Sequence, residues 1–272
     1  MARECLFCGG GPLTREHLIG RWASRFADDE QRDIYQRSDR EGELPGQEEQ
    51  RQWRARAYDR QARIVCETCN SGWMSELEHA VSQLLDPRAL SGRLLNQGEQ
   101  TLLATWAFKT ALTLNAAQPH DQRTIPVEMA RSFGRNRELP DGTYVWLASY
   151  TGSDDQFLGC AGVGIDLDDR LDNRRGWRDL SVSTFVVGPF LFQVFAVTPT
   201  LREVQFRRTP AARIAQLWPI EQPASWRPRP GFDAPTLVQF AEEIPRSLRG
   251  ALLIEEPVES EPGDRGGRMG AS

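Results

Sequence analysis

Cys66-Glu67-Thr68-Cys69-Asn70-Ser71-Gly72-Trp73-Met74-Ser75-Glu76-Leu77-Glu78 is the run from which the rest of this chain is read. Two thiols separated by two residues can face one ion, and the turn between them offers backbone amides to the sulfurs. After the second thiol the spacing becomes helical. Trp73, Leu77, Val81, Leu84 and Leu85 fall on one face, and Asn70 or Ser71 stands where a cap is needed. Cys5 and Cys8 repeat the spacing near the start, followed by Gly9-Gly10-Gly11, which gives a tight turn its freedom. Two matched pairs favour a single four-cysteine zinc site over a redox couple, which would need reactive thiols.

Between the pairs lies Thr14-Arg15-Glu16-His17-Leu18-Ile19-Gly20-Arg21-Trp22. The pattern predicts a loop or short strand through Glu16-His17, then a helix to about Phe26. A carboxylate next to an imidazole suits metal-assisted hydrolysis of a phosphodiester. The carboxylate can hold Mg2+ or Mn2+, and the imidazole can take a proton from the attacking water. The competing reading has Glu16 paired with an arginine and His17 simply packed. Asp28 to Gln50 is acidic, poor in apolar residues and broken by glycine and proline, so it reads as a solvated loop or hairpin insertion, with Ile34-Tyr35 as the start of a short strand. Trp53 to Val65 reads as one strand leading into the second cysteine pair. Its arginines, Arg51, Arg54, Arg56, Arg60 and Arg63, either line a phosphate groove or form a solvated face.

On Cys5, Cys8, Glu16, His17, Cys66, Cys69 and Asn70 the chain resembles the HNH endonuclease superfamily, in its four-cysteine, endonuclease VII-like branch. That resemblance implies a zinc-stapled treble clef of the ββα-metal type. It implies structural Zn2+ on Cys5, Cys8, Cys66 and Cys69, a catalytic Mg2+ or Mn2+ on Glu16 and Asn70, and His17 as general base. It also implies nucleic acid as the partner, with DNA ahead of RNA. Three departures stand out. Glu16 replaces the more usual aspartate, the interval from His17 to Cys66 is long, and no residue on the following helix matches the later histidine or asparagine of other members. At about 100° per residue Glu78 lies about 80° around an ideal helix from Asn70 and about 12 Å along its axis. Glu78 is therefore expected to order the site or pair with an arginine such as Arg21, and His79 to lie on the surface.

Beyond residue 86 the signals change. Pro87 to Gly98 reads as a connection and Glu99 to Ala117 as an amphipathic helix in which Lys109, the only lysine, is expected to be solvated. Pro126 to Asn136 reads as a shorter helix. From Thr143 the period is two, with strands expected at Tyr144 to Tyr150, Phe157 to Ile165, Ser181 to Val187 and Phe190 to Val197, and an edge strand at Ile214 to Ile220. Short connections imply an antiparallel sheet. Cys160 is expected to be buried in it as a small apolar residue. A last helix is expected over Pro235 to Ile244. The fold class is therefore α+β, with residues 1–86 as the treble-clef unit, 99–250 as an α+β unit of unassigned role, and 251–272 as a disordered tail.

The net charge of −5 excludes a global basic field of the kind that drives bulk nucleic-acid binding, though a local patch would suffice. No apolar run approaches the roughly 18 residues of a membrane span. The polar start shows no signal-peptide pattern, and a cytoplasmic protein is expected. Two functions follow: an HNH-type endonuclease, or a zinc-binding module without catalysis that binds nucleic acid or a protein.

Overall fold

The computed structural model describes residues 4–27, 31–39, 52–56, 58–118, 120, 123–152, 160–165, 180–197, 214–227, 230–233 and 235–237, and for 31–39, 52–56 and 160–165 the backbone alone. The expected tail, most of the expected last helix and the side chain of Cys160 lie outside this set.

The N-terminal elements are strand β1 (Leu13–His17), a 3-10 helix (Arg21–Phe26), and strands β2 (Gln31–Asp39), β3 (Gln52–Arg56) and β4 (Gln61–Cys66). Then come the short helix α1 (Glu67–Cys69), a π-helical turn (Asn70–Met74) and helices α2 (Ser75–Leu84), α3 (Pro87–Leu90), α4 (Gln97–Ala116) and α5 (Val127–Asn136). The last described strands are β5 (Tyr144–Ser149), β6 (Cys160–Ile165), β7 (Leu180–Val187), β8 (Phe190–Val197) and β9 (Ile214–Trp218). The class is mixed helix and sheet, as the sequence indicates. Among the described residues no helix is long and apolar enough to cross a membrane.

The strands form two sheets. β1 and β4 make a two-stranded antiparallel ribbon, and the other seven are ordered β3-β2-β6-β7-β8-β5-β9. Every pairing is antiparallel except β2 with β6. Two expectations change here, and a third is settled between its alternatives. The stretch expected as one strand from Trp53 to Val65 is two strands in different sheets. The break falls near Tyr58, whose φ of 65° lies in the left-handed region and whose hydroxyl accepts a 2.8 Å hydrogen bond from the Gly188 amide. Of the two forms expected for residues 28–50, loop or hairpin insertion, the structure has strand β2 through Ile34-Tyr35, paired antiparallel with β3 as in a hairpin and also with β6. Strand order also crosses the boundary expected near residues 86–99, since β2 and β3 end a sheet otherwise built from later residues. One hydrophobic core runs from Cys5 through Phe108 and Phe192 to Trp226.

Helix α4 is the centre of that core. Its start is fixed by a capping box: the Glu99 amide donates to Asn96 Oδ1 and the Asn96 amide to Glu99 Oε2, both at 2.9 Å. Trp106 meets Phe192 of the sheet edge-on at 5.1 Å and Trp22 of the 3-10 helix at 5.7 Å. Phe108 meets Phe133 of α5 at 5.1 Å. With neighbours on both sides, α4 is buried almost all round, not along one stripe as the sequence suggested.

Candidate metal centre and the ribbon beside it

The first cysteine pair closes a tight turn. The Cys5 amide donates to the Gly10 carbonyl at 2.8 Å, the Gly9 amide to the Cys5 carbonyl at 3.0 Å, and the Gly10 amide to Cys8 Sγ at 3.4 Å. Gly9 has a φ of +76°, which only glycine adopts without strain. The second pair spans the end of β4 and α1, and a 2.8 Å hydrogen bond from the Leu6 amide to the Ile64 carbonyl holds the two turns together. Phe7 packs edge-on to Trp73 at 5.0 Å and Gly134 lies against the Phe7 backbone, so an apolar layer backs the turns.

The outcome is a four-sulfur cluster. The Sγ atoms of Cys5, Cys8, Cys66 and Cys69 all lie within 4.8 Å of one another, and none is in a disulfide. The distance from Cys8 Sγ to Cys66 Sγ is 3.5 Å. A tetrahedron with metal–sulfur bonds of about 2.3 Å has edges of about 3.8 Å. The cluster therefore has the size and donor chemistry to hold a metal ion. Burial pushes the Cys5 thiol up, but backbone amides of Cys8, Cys66 and Phe7 outweigh it and bring it down to about 7. Burial pushes Cys69 well up.

Asn70 follows directly. The helix does not run straight on from α1: Asn70–Met74 is a π-helical turn, and Gly72 leaves helical geometry at φ −90°, ψ −121°. The ideal-helix angle between Asn70 and Glu78 therefore does not apply. Nor does Asn70 cap, since none of the three helical segments here has a side-chain cap. Its Nδ2 instead donates across to β1, to Thr14 Oγ1 at 3.1 Å and the Arg15 carbonyl at 3.3 Å. Among the described residues its Oδ1 has no hydrogen-bond partner. The second cysteine turn thus draws Asn70 onto the strand that carries Glu16 and His17.

Glu16 and His17 leave that strand on opposite faces, as successive strand residues do. Glu16 pairs in register with Ala62 and is buried. Burial lifts its carboxyl to about 7; Lys109 opposes the rise, Glu78 adds to it, and the His17 amide opposes it further. His17 pairs with Gln61, and the two Nε2 atoms are 2.9 Å apart. Asp59 Oδ1 is 3.8 Å from the imidazole. The three functional groups the resemblance would gather at one point are therefore held by different neighbours: the interior, Gln61, and the β1 backbone. As a cation site Asn70 fits, with a free oxygen. Glu16 as placed does not, because its carboxyl is turned to the interior.

The sequence reading missed what lies behind Glu16. Lys109 is fully buried and not solvated; its Nζ donates to Glu78 Oε1, and the other Glu78 oxygen accepts from Trp22 Nε1. Glu78 therefore pairs with Lys109 and not with Arg21, and Gly20 leaves room for it, since a Cβ there would lie 2.7 Å from Glu78 Cδ. The available signal was the lone lysine flanked by Trp106 and Phe108 within an apolar helix. His79 is exposed, as expected. Arg25 donates to the Ser82 and Leu85 carbonyls at 2.7 and 2.9 Å, which fixes the end of α2 against the 3-10 helix. Comparison with protein-family models, curated proteins and solved structures returned no match to this chain.

Proposed function

We propose that this chain is an endonuclease of the HNH type, a zinc-stapled treble clef that hydrolyses nucleic-acid phosphodiester bonds. The observation that carries the reading is the pair of hydrogen bonds from Asn70 to β1, next to Glu16-His17. The second cysteine pair is followed directly by Asn70, and that contact with the strand carrying Glu16 and His17 is what supports the reading, although the three side chains have different neighbours. Zn2+ is the ion that suits four thiolates in a closed tetrahedral site, and its role is structural. His17 would be the general base; its Nε2 accepts from Gln61 Nε2 at 2.9 Å with Asp59 Oδ1 at 3.8 Å, so the attacking water would have to replace Gln61 at that lone pair. Mg2+ or Mn2+ would supply charge stabilisation at the phosphate; Asn70 Oδ1 is the donor that would hold it, and Glu16, buried as placed, would not.

One observation favours a second reading, the zinc module that binds nucleic acid or a protein without catalysis. Glu16 is buried beside Lys109 and Glu78, a setting that accounts for it structurally. Plasmid and RNA cleavage with Mg2+ or Mn2+ separates the two. The enzyme predicts cleavage that His17→Ala reduces at least 100-fold, since general-base catalysis contributes about 10²–10⁴. No cleavage of any nucleic acid by zinc-loaded protein would establish the module instead.

A further inference from the structure

Arg15 and Arg63 are both exposed on the β1–β4 ribbon. The register passes from Thr14 opposite Val65 to Glu16 opposite Ala62, so Arg15 faces the bulge that contains Arg63. Bulges of this kind occur beside active sites, where they re-aim side chains. Just beyond stands the His17–Gln61 pair, while the ribbon's other side buries Glu16 and Val65. Neither arginine has an ion-pair partner among the described residues, although the chain as a whole carries net charge −5. Like charges placed opposite each other on two strands repel. Two exposed arginines set opposite each other on the ribbon, without a carboxylate partner among the described residues, are available for an anion.

We infer that Arg15 and Arg63 form a clamp for the phosphodiester backbone of nucleic acid, seating one phosphate stretch across the ribbon beside His17. Guanidinium groups match phosphate oxygens in paired hydrogen bonds, and contacts of this type position a strand without reading its bases. The inference rests on the proposed function for its partner, and it assigns the contact surface to two residues outside the proposed chemistry.

The test measures binding, not cleavage. Zinc-loaded protein without added Mg2+ is titrated into a fluorescein-labelled DNA duplex of mixed sequence, and into its RNA counterpart, over a series of NaCl concentrations. Each phosphate contact contributes about 0.9 to the slope of log affinity against log salt for duplex DNA. Arg15→Gln/Arg63→Gln should reduce that slope by about 2 and weaken binding to unrelated sequences alike. Arg88→Gln/Arg135→Gln removes the same charge from exposed positions elsewhere and should leave the slope unchanged. Zinc content and circular dichroism confirm that each variant is folded. A slope unchanged in the first variant, or lowered equally in the second, overturns the clamp and leaves the proposed function standing. Failure of the wild type to bind either duplex overturns the clamp, and the cleavage assay then judges the enzyme separately.

Discussion

Replacing Lys109 with methionine should destabilise the protein by about 3–5 kcal/mol, the cost of removing one partner from a buried ion pair. Lys109 is completely buried and the Glu78 side chain only 13% exposed, so the carboxylate left behind has little access to water. Methionine is close to lysine in length, so the loss is electrostatic with little contribution from a cavity. For a chain of this size about 1 kcal/mol shifts the melting temperature by about 2–4 °C, which places the expected drop at roughly 6–20 °C. Glu16 should become harder to ionise, because Lys109 is the group that pulls its carboxyl down. The double variant Lys109→Met/Glu78→Gln removes both charges and keeps an acceptor for Trp22 Nε1. It should recover most of the loss, since a buried pair replaced as a unit is often nearly neutral. The assay is thermal and urea unfolding of zinc-loaded protein, with equal zinc content as a control. A loss below about 1 kcal/mol, or a double variant no more stable than the single one, would refute the buried-pair argument.

Stripping the metal with a chelator should collapse circular dichroism in step with zinc release, because the cysteine turns share one core with α4 and the sheet; structure unchanged after complete metal loss would contradict this. Asn70→Ala removes two hydrogen bonds to β1 and should cost about 1–2 kcal/mol in urea unfolding while abolishing cleavage, whereas Asn70→Asp should retain part of the activity. Burial lifts the Glu16 carboxyl from 4.5 to about 7, so between those values the folded state binds its proton more tightly than the unfolded chain. Stability should therefore fall as pH rises from about 4.5, with the full cost of about 3 kcal/mol present above about 7. Glu16→Gln should remove that slope, and comparing the two proteins at each pH cancels the titration of the cysteines; parallel curves would show that Glu16 is not the group responsible.

Much of the fold was legible because its signals are local. The paired cysteines, the apolar spacing of α4, Pro126 before α5 and the alternation in β5, β7 and β8 each act within a few residues. The misreadings arose where a distant partner decides the outcome. Residues 31–39 carry only Ile34-Tyr35 as a local strand signal, and the parallel partner β6 that extends the ladder lies far along the chain. Trp53 to Val65 alternates throughout, and the contact between Tyr58 and Gly188 that accompanies the break is invisible along the chain. The candidate site was legible as a set of residue types: the sequence shows that Glu16 and His17 are adjacent, and the resemblance puts Asn70 with them. It does not show which way each points. Strand alternation sends Glu16 inward, where Lys109 and Glu78 wait on helices encountered only after folding. Lys109 itself looks like a surface residue because burial of a lysine depends on a carboxylate that sequence distance conceals.

The central claim is that four thiolates hold one metal ion and thereby bring Asn70 to the Glu16–His17 strand. X-ray absorption at the zinc edge of purified protein tests it most directly. The account predicts one zinc per chain with four sulfur neighbours at about 2.3 Å, and loss of that shell in Cys66→Ser. A shell containing nitrogen or oxygen, or protein folded without zinc, would contradict it.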